Sequence, residues 1–392
     1  MSDLFNPTEE HQVLREMVRS FAERELQPQA EHHDRKESFN LELFQKLGDL
    51  GLLGVTAPTE FGGSGMDATA AVIVHEELSA VDPGFCLAYL AHSMLFVNNL
   101  AVNGSEEQCR RFIPKSCTGE FVGGMCMSEP GAGTDVLGMK SIATDDGDEV
   151  VLTGRKMWIT NGAISDEELG DVFLVYAKQK GLSDRALSLF VVEKGMKGFS
   201  LGQKLTGKLG MRASTTAELV FDEVRVPCEN RIGEPGKAVR SMMRNLEIER
   251  LTLAAMSLGI ARRSVEIMNE YAQERHSFGE PINRFGQIQR HIAESYAEYM
   301  AGRSYVYDVA SNLNLKKAGN RIDSDGVKLF CSTMAKEVAD RAIQVLGGYG
   351  YVSEYVVERL WRDAKLLEIG GGTVEAHQKN ITRDLAEVDK LR

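Results

Sequence analysis

Hydrophobic residues recur along this chain with two different periods, and the period changes twice. From about Asn6 to Glu120 they return every three or four positions, so that Leu14, Met17, Val18 and Phe21 share one helical face. Asn6-Pro7-Thr8-Glu9 ahead of them reads as a helix start: Asn6 as N-cap, a proline at the first helical position and a carboxylate at the third. Leu41–Leu50 and Ala70–Ala80 carry the same period on either side of a glycine-rich turn, Phe61-Gly62-Gly63-Ser64-Gly65.

Between about Phe121 and Gly233 the runs shorten and turn β-rich. Val150-Val151-Leu152, Trp158-Ile159-Thr160, Val172–Tyr176, Leu187–Val192 and Glu218–Phe221 are bounded by clusters such as Asp145-Asp146-Gly147 and Asn161-Gly162. No helix of ten or more residues intervenes, which predicts an antiparallel barrel or sandwich and excludes a βαβ array. Long helical patterns return at Leu246–Tyr271, Gln287–Asn314 and Gly326–Leu346, as expected of an antiparallel bundle. The expected division is 1–120 helical, 121–233 strand-rich and 234–392 helical.

Composition narrows the function. The net charge of −12 argues against a general nucleic-acid or anionic-membrane surface. No apolar run is read as reaching the ~20 residues that cross a bilayer. The start, MSDLFNPTEEHQ, has no signal or transit character, so the expected compartment is cytoplasmic if the source is bacterial, or the mitochondrial matrix if a presequence was removed. Cys86, Cys109, Cys117, Cys126, Cys228 and Cys331 form no CxxC pair, and His32–His33 has no partner at ligand spacing. Reduced thiols and no metal site are expected.

Three stretches could carry chemistry. Met127-Ser128-Glu129-Pro130-Gly131-Ala132-Gly133-Thr134-Asp135 mixes glycines with hydroxyls, so its N–H groups could approach an anion, although a structural turn explains it as well. In Lys156-Met157-Trp158-Ile159-Thr160-Asn161-Gly162, Trp158 and Thr160 share one strand face and could meet a flat heterocycle. A core Trp in a hairpin closed by Asn161-Gly162 is the plainer reading. Gln344–Tyr351 and Glu368–Thr373 are glycine clusters flanking Arg359-Leu360-Trp361-Arg362, which suits close packing against a phosphorylated ligand or merely helix C-caps.

Taken together, and with Gly210–Thr216 and Arg275-His276-Ser277-Phe278-Gly279, these stretches resemble the signatures of the acyl-CoA dehydrogenase family, in order and over about Glu9–Leu385. The resemblance implies an α+β fold with an N-terminal helical domain, a central antiparallel β-barrel or sandwich and a C-terminal four-helix bundle. It also implies FAD as cofactor, electron-transferring flavoprotein as electron acceptor, and a homotetramer with no nucleic-acid or membrane partner. Met125, Met127, Ser128 and Thr134 are expected beside the flavin, Ser128 and Thr134 also beside the acyl-CoA. Trp158 and Thr160 are expected near flavin N5. Arg275, Phe278, Gln344, Gly347 and Gly348 are expected to reach FAD across a subunit interface, and Thr373 and Glu375 to lie near its pyrophosphate. One departure is Phe285-Gly286-Gln287-Ile288-Gln289, where the family commonly has Phe-Gln-x-x-Gln.

The base is the informative position. Many members carry Tyr-Glu-Gly-Thr, whose Glu takes the α-proton, but here the stretch is Gly370-Gly371-Gly372-Thr373. The isovaleryl-CoA branch supplies the carboxylate from a helix, and Leu246-Glu247-Ile248-Glu249-Arg250-Leu251 places Glu249 at that position. Glu247 and Glu249 stand about 200° apart on a helix, so only one can face a given substrate. In an apolar pocket the Glu249 pKa is expected to rise toward neutrality, while the N–H of residue 371 remains a donor for the thioester carbonyl. Leu87, Ala91, Glu247, Arg250, Gly370 and Gly371 are the further expected substrate contacts. The absent ring at Gly370 leaves space for a branched acyl chain. Straight short chains, and a same-fold flavin oxidase, are the alternative readings.

Overall fold

The computed structural model describes residues 3–388; residues 1–2 and 389–392 of the expected outer divisions lie outside the described residues. Seven helices come first: α1 (Glu9–Phe21), α2 (Gln27–Lys36), α3 (Leu41–Asp49), α4 (Ala68–Ser79), α5 (Pro83–Leu90), α6 (Asn99–Asn103) and α7 (Glu106–Cys117). The cap of α1 is Thr8 and not Asn6: its hydroxyl accepts from the His11 N–H at 3.3 Å, and Pro7 lies outside the helix. Asn6 accepts instead from Arg15 Nε at 2.8 Å.

The helix running from α5 through a π-helical segment, Ala91–Asn98, into α6 differs from the sequence expectation. Pro83–Asn103 is 21 residues long, with a mean hydropathy of 1.5 in its most apolar window, so by length and composition it could cross a membrane. Here 78% of that window is buried inside the protein, as the core helix of the first helical region.

Eight strands follow as one sheet: β1 (Gly123–Cys126), β2 (Ile142–Asp146), β3 (Glu149–Thr160), β4 (Val172–Gln179), β5 (Leu187–Glu193), β6 (Phe199–Lys204), β7 (Thr216–Pro227) and β8 (Arg231–Ile232). Their order is β6-β7-β3-β2-β4-β5-β8, with β1 added beside β4. The sheet is mixed: β1 and β2 each pair parallel with β4, and the other pairings are antiparallel. Asn161-Gly162 is not a hairpin turn. Asn161 has φ +61°, and its amide donates to the carbonyls of Ala88 (2.9 Å) and Gly123 (3.0 Å), pinning the end of β3 to the core helix and β1.

The last part is helical: α8 (Val239–Glu274), a short ribbon of β9 (His276–Ser277) and β10 (Glu280–Pro281), α9 (Gly286–Asn312), α10 (Arg321–Leu346), α11 (Val357–Leu367) and α12 (Val374–Leu385). The first and last regions share one apolar core, in which Val72, Ile73 and Leu78 of α4 meet Leu258 and Ile260 of α8 and Val306 of α9. Two adjacent carboxylates interrupt that core. Glu76 and Glu77 are buried, and Arg15, Arg262 and Arg303 pair with them from α1, α8 and α9. Removing one member would strand a charge, so the set fixes how the three helices meet α4.

Candidate active site

The middle of α8 faces two ways. Glu247 is buried, and its carboxylate accepts from the N–H groups of Gly319 (3.0 Å) and Asn320 (2.9 Å). It thereby satisfies donors at the start of α10. The expectation that Glu247 contacts substrate is corrected here: its oxygens are occupied on the side of the helix away from Glu249.

Glu249 lies instead beside the Gly370–Gly372 turn. By surface area it is half-buried, yet its carboxyl lies deep among protein atoms. Burial pushes it up to about 6, against the opposing pull of Arg250 and Lys328. A Cβ built on Gly371 would lie 3.5 Å from Glu249 Oε1 and only 2.3 Å from Leu253 Cδ1. The turn and the helix therefore address the same point, and Leu253, one turn after Glu249, fills the space a side chain at 371 would need. Gly371 also has φ +69°, where a Cβ is disfavoured. Its N–H meets no acceptor among the described residues. The turn thus presents a free donor next to a carboxylate whose affinity for protons is raised.

Arg250 is engaged by the turn and by α10. It donates from Nε to the Gly371 carbonyl at 3.3 Å and pairs through Nη1 with buried Asp325 at 3.0 Å. Gly370 is unconfined: a Cβ there would make only ordinary contact, with Leu366 at 3.6–4.0 Å. Leu87 and Ala91, on the core helix, are buried in the cluster that also holds Leu253.

Met125 of β1 is tied to α8, its sulfur accepting from Asn245 at 3.5 Å. Met127 is buried, Ser128 half-buried and Thr134 exposed. The loop after β1 is braced from within by Lys156, which is fully buried and donates to the Met127 carbonyl (3.2 Å) and to Glu129 Oε1 (2.9 Å). Glu129 in turn accepts from the Ser141 and Lys140 N–H groups. Burial pushes its carboxyl up, but Lys156 and these donors outweigh that and hold it below the usual range. A methyl group added at Gly131 or Gly133 would meet nothing within 4 Å, so the outer face of this loop is open to close approach.

Trp158 sits in a bulge of β3 against β7, with φ +59° and 53% of its surface exposed; Thr160 is half-buried two residues on. An open indole held in a strained backbone conformation asks for a flat partner. At the far end of α8 a separate cavity of about 450 Å³ is lined by Arg275, Gly347, Gly348, Tyr349 and neighbours, with the Arg275 guanidinium 5.9 Å from the Tyr349 ring. Gln344 is exposed on α10 nearby. Phe278 is 94% exposed with φ +53°. In one chain these residues stay remote from Glu249 and do not form a single site with Trp158. Thr373 caps α12, accepting from the Ala376 N–H at 3.3 Å, and Glu375 lies in its exposed first turn. Phe285 N-caps α9, and Gly286, the residue that departs from the family pattern, has open space around it.

Sequence reasoning missed Lys156, Leu253, Asp325, Lys328 and His377. Asp325, Lys328 and Ser332 fall at i, i+3 and i+7, a polar stripe that reads as a solvated face but is wholly buried against α8 and the turn. No cluster able to hold a metal exists among the described residues, and Cys86, Cys109, Cys117, Cys126, Cys228 and Cys331 are free thiols, all buried but Cys228.

Comparison with known proteins places this geometry. Residues 8–120, 124–224 and 236–386 match the N-terminal, middle and C-terminal domain models of acyl-CoA dehydrogenases. The mitochondrial isovaleryl-CoA dehydrogenase of Pongo abelii is 41% identical over 381 residues, 96% of this chain and 88% of that protein. Butyryl-CoA dehydrogenase of Megasphaera elsdenii superposes with a TM-score of 0.91 at 33% identity, covering 97% of this chain and 98% of that one. A chain from a structure of the electron transferring flavoprotein of Acidaminococcus fermentans does so with 0.91 at 34% identity, covering 97% and 99%. The protein belongs to the acyl-CoA dehydrogenase family, whose members are FAD-dependent flavoenzymes.

Proposed function

We propose that the protein oxidises a short, branched acyl-CoA of the isovaleryl type to its 2-enoyl-CoA, with Glu249 taking the α-proton. One observation carries this reading: Glu249 Oε1 lies 3.5 Å from where a side chain of residue 371 would begin, so the helix supplies the carboxylate that the turn lacks. A carboxyl pushed up to about 6 is a stronger base than an ordinary glutamate and is still ionised at pH 7–8. The free N–H of Gly371 is the protein's donor to the thioester carbonyl, stabilising charge that develops there as the proton leaves.

The residues present suit FAD. Trp158 offers an exposed ring face, the loop Met127–Thr134 offers open glycine backbone, and Arg275 with Gly347 and Gly348 lines a second cavity that also holds Glu354. FAD, when bound, supplies the acceptor for the hydride that leaves the substrate's β-carbon. Because the Arg275 cavity is remote from Trp158 within one chain, and Phe278 is almost wholly exposed, Arg275, Phe278, Gln344, Gly347 and Gly348 serve the cofactor of a neighbouring copy in a homotetramer. Thr373 and Glu375 attend the pyrophosphate end. Likeness to a chain from an electron-transferring flavoprotein structure supports that protein as electron acceptor.

Likeness to butyryl-CoA dehydrogenase favours one second reading, a straight short chain. The test is anaerobic stopped-flow reduction of the purified yellow protein by isovaleryl-CoA and butyryl-CoA. A higher kcat/KM for isovaleryl-CoA is expected; a preference for butyryl-CoA establishes the second reading. Flavin bleaching by neither thioester overturns both.

A further inference from the structure

Behind Glu249 lies a set of buried ionisable groups to which the proposed chemistry gives no task. Arg250 donates to the Gly371 carbonyl and pairs with Asp325. Asp325 and His377 have no exposed surface. His377 Nδ1 is 2.5 Å from Asp325 Oδ1, and its Nε2 is 2.9 Å from the Gly372 carbonyl. Lys328, one turn after Asp325 on α10, donates to the Leu367 carbonyl at the end of α11, from which the turn departs. Both carbonyls of the Gly371-Gly372 pair are therefore gripped by one cluster. The imidazole also packs under the turn: a Cβ on Gly372 would fall 2.9 Å from His377 Cε1.

This grip matters because the turn has little stiffness of its own. Gly371 and Gly372 are successive glycines at φ +69° and +109°, the residue type with most backbone freedom. A displacement of ~1 Å in a catalytic group can cost about 100-fold in rate.

Both ring nitrogens of His377 face groups that accept, while a neutral imidazole has one N–H, so the ring donates to one of them at a time. Burial, joined by Lys328 of α10 and Arg250 of α8, holds the imidazole below its usual range against the pull of Asp325, so the ring is neutral at the pH where Glu249 is ionised.

We propose that Asp325 and His377 are positioning residues for the dehydrogenation: with Arg250 they hold the Gly371-Gly372 turn so that its N–H stands beside Glu249. This rests on the reading of residues 249 and 371 given above.

The experiment compares the holoenzyme with His377→Gln and His377→Ala, measuring the rate of flavin reduction by isovaleryl-CoA from pH 5.5 to 9.5, with FAD content and thermal melting followed in parallel. Glutamine carries an amide N–H at every pH and reaches the Nε2 position. His377→Ala should be slower by about ten- to a hundredfold throughout, in kcat more than in KM. His377→Gln should recover most of the rate. If His377→Ala does not fold, His377→Asn, whose shorter amide stops short of the Gly372 carbonyl, is compared with His377→Gln instead. A His377→Gln as slow as the shorter variant at equal FAD content overturns the proposal, and so do parental rates in His377→Ala. Glu249→Gln in the same series separates the readings: if it keeps the parental rate the base assignment is wrong, while the His377 variants still decide whether the turn is held.

Discussion

Glu247 and Glu249, two residues apart on α8, end in opposite surroundings: one carboxylate holds the backbone of Gly319 and Asn320, the other meets the turn at Gly371. Their glutamine variants should therefore fail differently. Glu249→Gln is expected to keep FAD and bind acyl-CoA while losing flavin reduction by several orders of magnitude. Glu247→Gln should reduce flavin near the parental rate but melt earlier, because a buried pair of N–H donors loses a charged acceptor, a change worth about 1–3 kcal/mol. Single-turnover rates and melting curves on both variants check the contrast.

Glu249 also makes stability depend on pH. Its folded value, about 6, lies above the 4.5 of an ordinary glutamate, so the folded protein resists giving up the proton. Relative to Glu249→Gln, the parent is expected to be equally stable at pH 4, to lose ground as pH rises through 4.5 to 6, and to stay behind by roughly 1–2 kcal/mol above pH 7. A melting-temperature difference that shrinks with rising pH would contradict this.

Lys328 acts on the same carboxyl from α10. Its positive charge favours ionised Glu249, so Lys328→Met should raise the pH at which flavin reduction switches on, slowing the reaction at pH 6 more than at pH 8. The acid limb of the rate profile gives the shift directly.

Gly370 and Gly371 differ sharply in what they tolerate. Gly370→Tyr has room to be built, and its ring would occupy space needed by a β-methyl group. The ratio of kcat/KM for isovaleryl-CoA over butyryl-CoA should fall by tens to a few hundredfold, the value of ~1–3 kcal/mol for one methyl, with butyryl-CoA turnover largely retained. An unchanged ratio removes Gly370 from the acyl pocket.

Gly371→Ala, by contrast, should destabilise by about 1–3 kcal/mol through its backbone conformation and its collision with Leu253. Adding Leu253→Ala should relieve the collision alone. A double-mutant cycle by thermal melting measures that part.

Much of this was legible in the sequence where periodicity and packing agree. The cores of α3, α4, α8, α9 and α10 lie where hydrophobic spacing predicts them, and the loss at Gly371 pointed to Glu249. The sequence misled where polar residues are buried. Asp325, Lys328 and Ser332 form a polar stripe that is buried, and no local pattern signals that His377 and Arg250 arrive from other elements to meet it. The apolar helix Pro83–Asn103 was hidden by His92, Ser93, Asn98 and Asn99, all of them buried and absorbed by internal partners. Asn161-Gly162 resembled a hairpin because a side chain that pins three segments together leaves the same two letters as a free turn.

The contact between Leu253 and the space above Gly371 also bears on redesign. Moving the base from α8 to the turn takes more than one change: a side chain at 371 would press on the tip of Leu253, sit at φ +69° and set a second acid beside Glu249. The leucine tip can swing aside, so the backbone conformation and the second carboxylate, more than packing, keep the two arrangements apart.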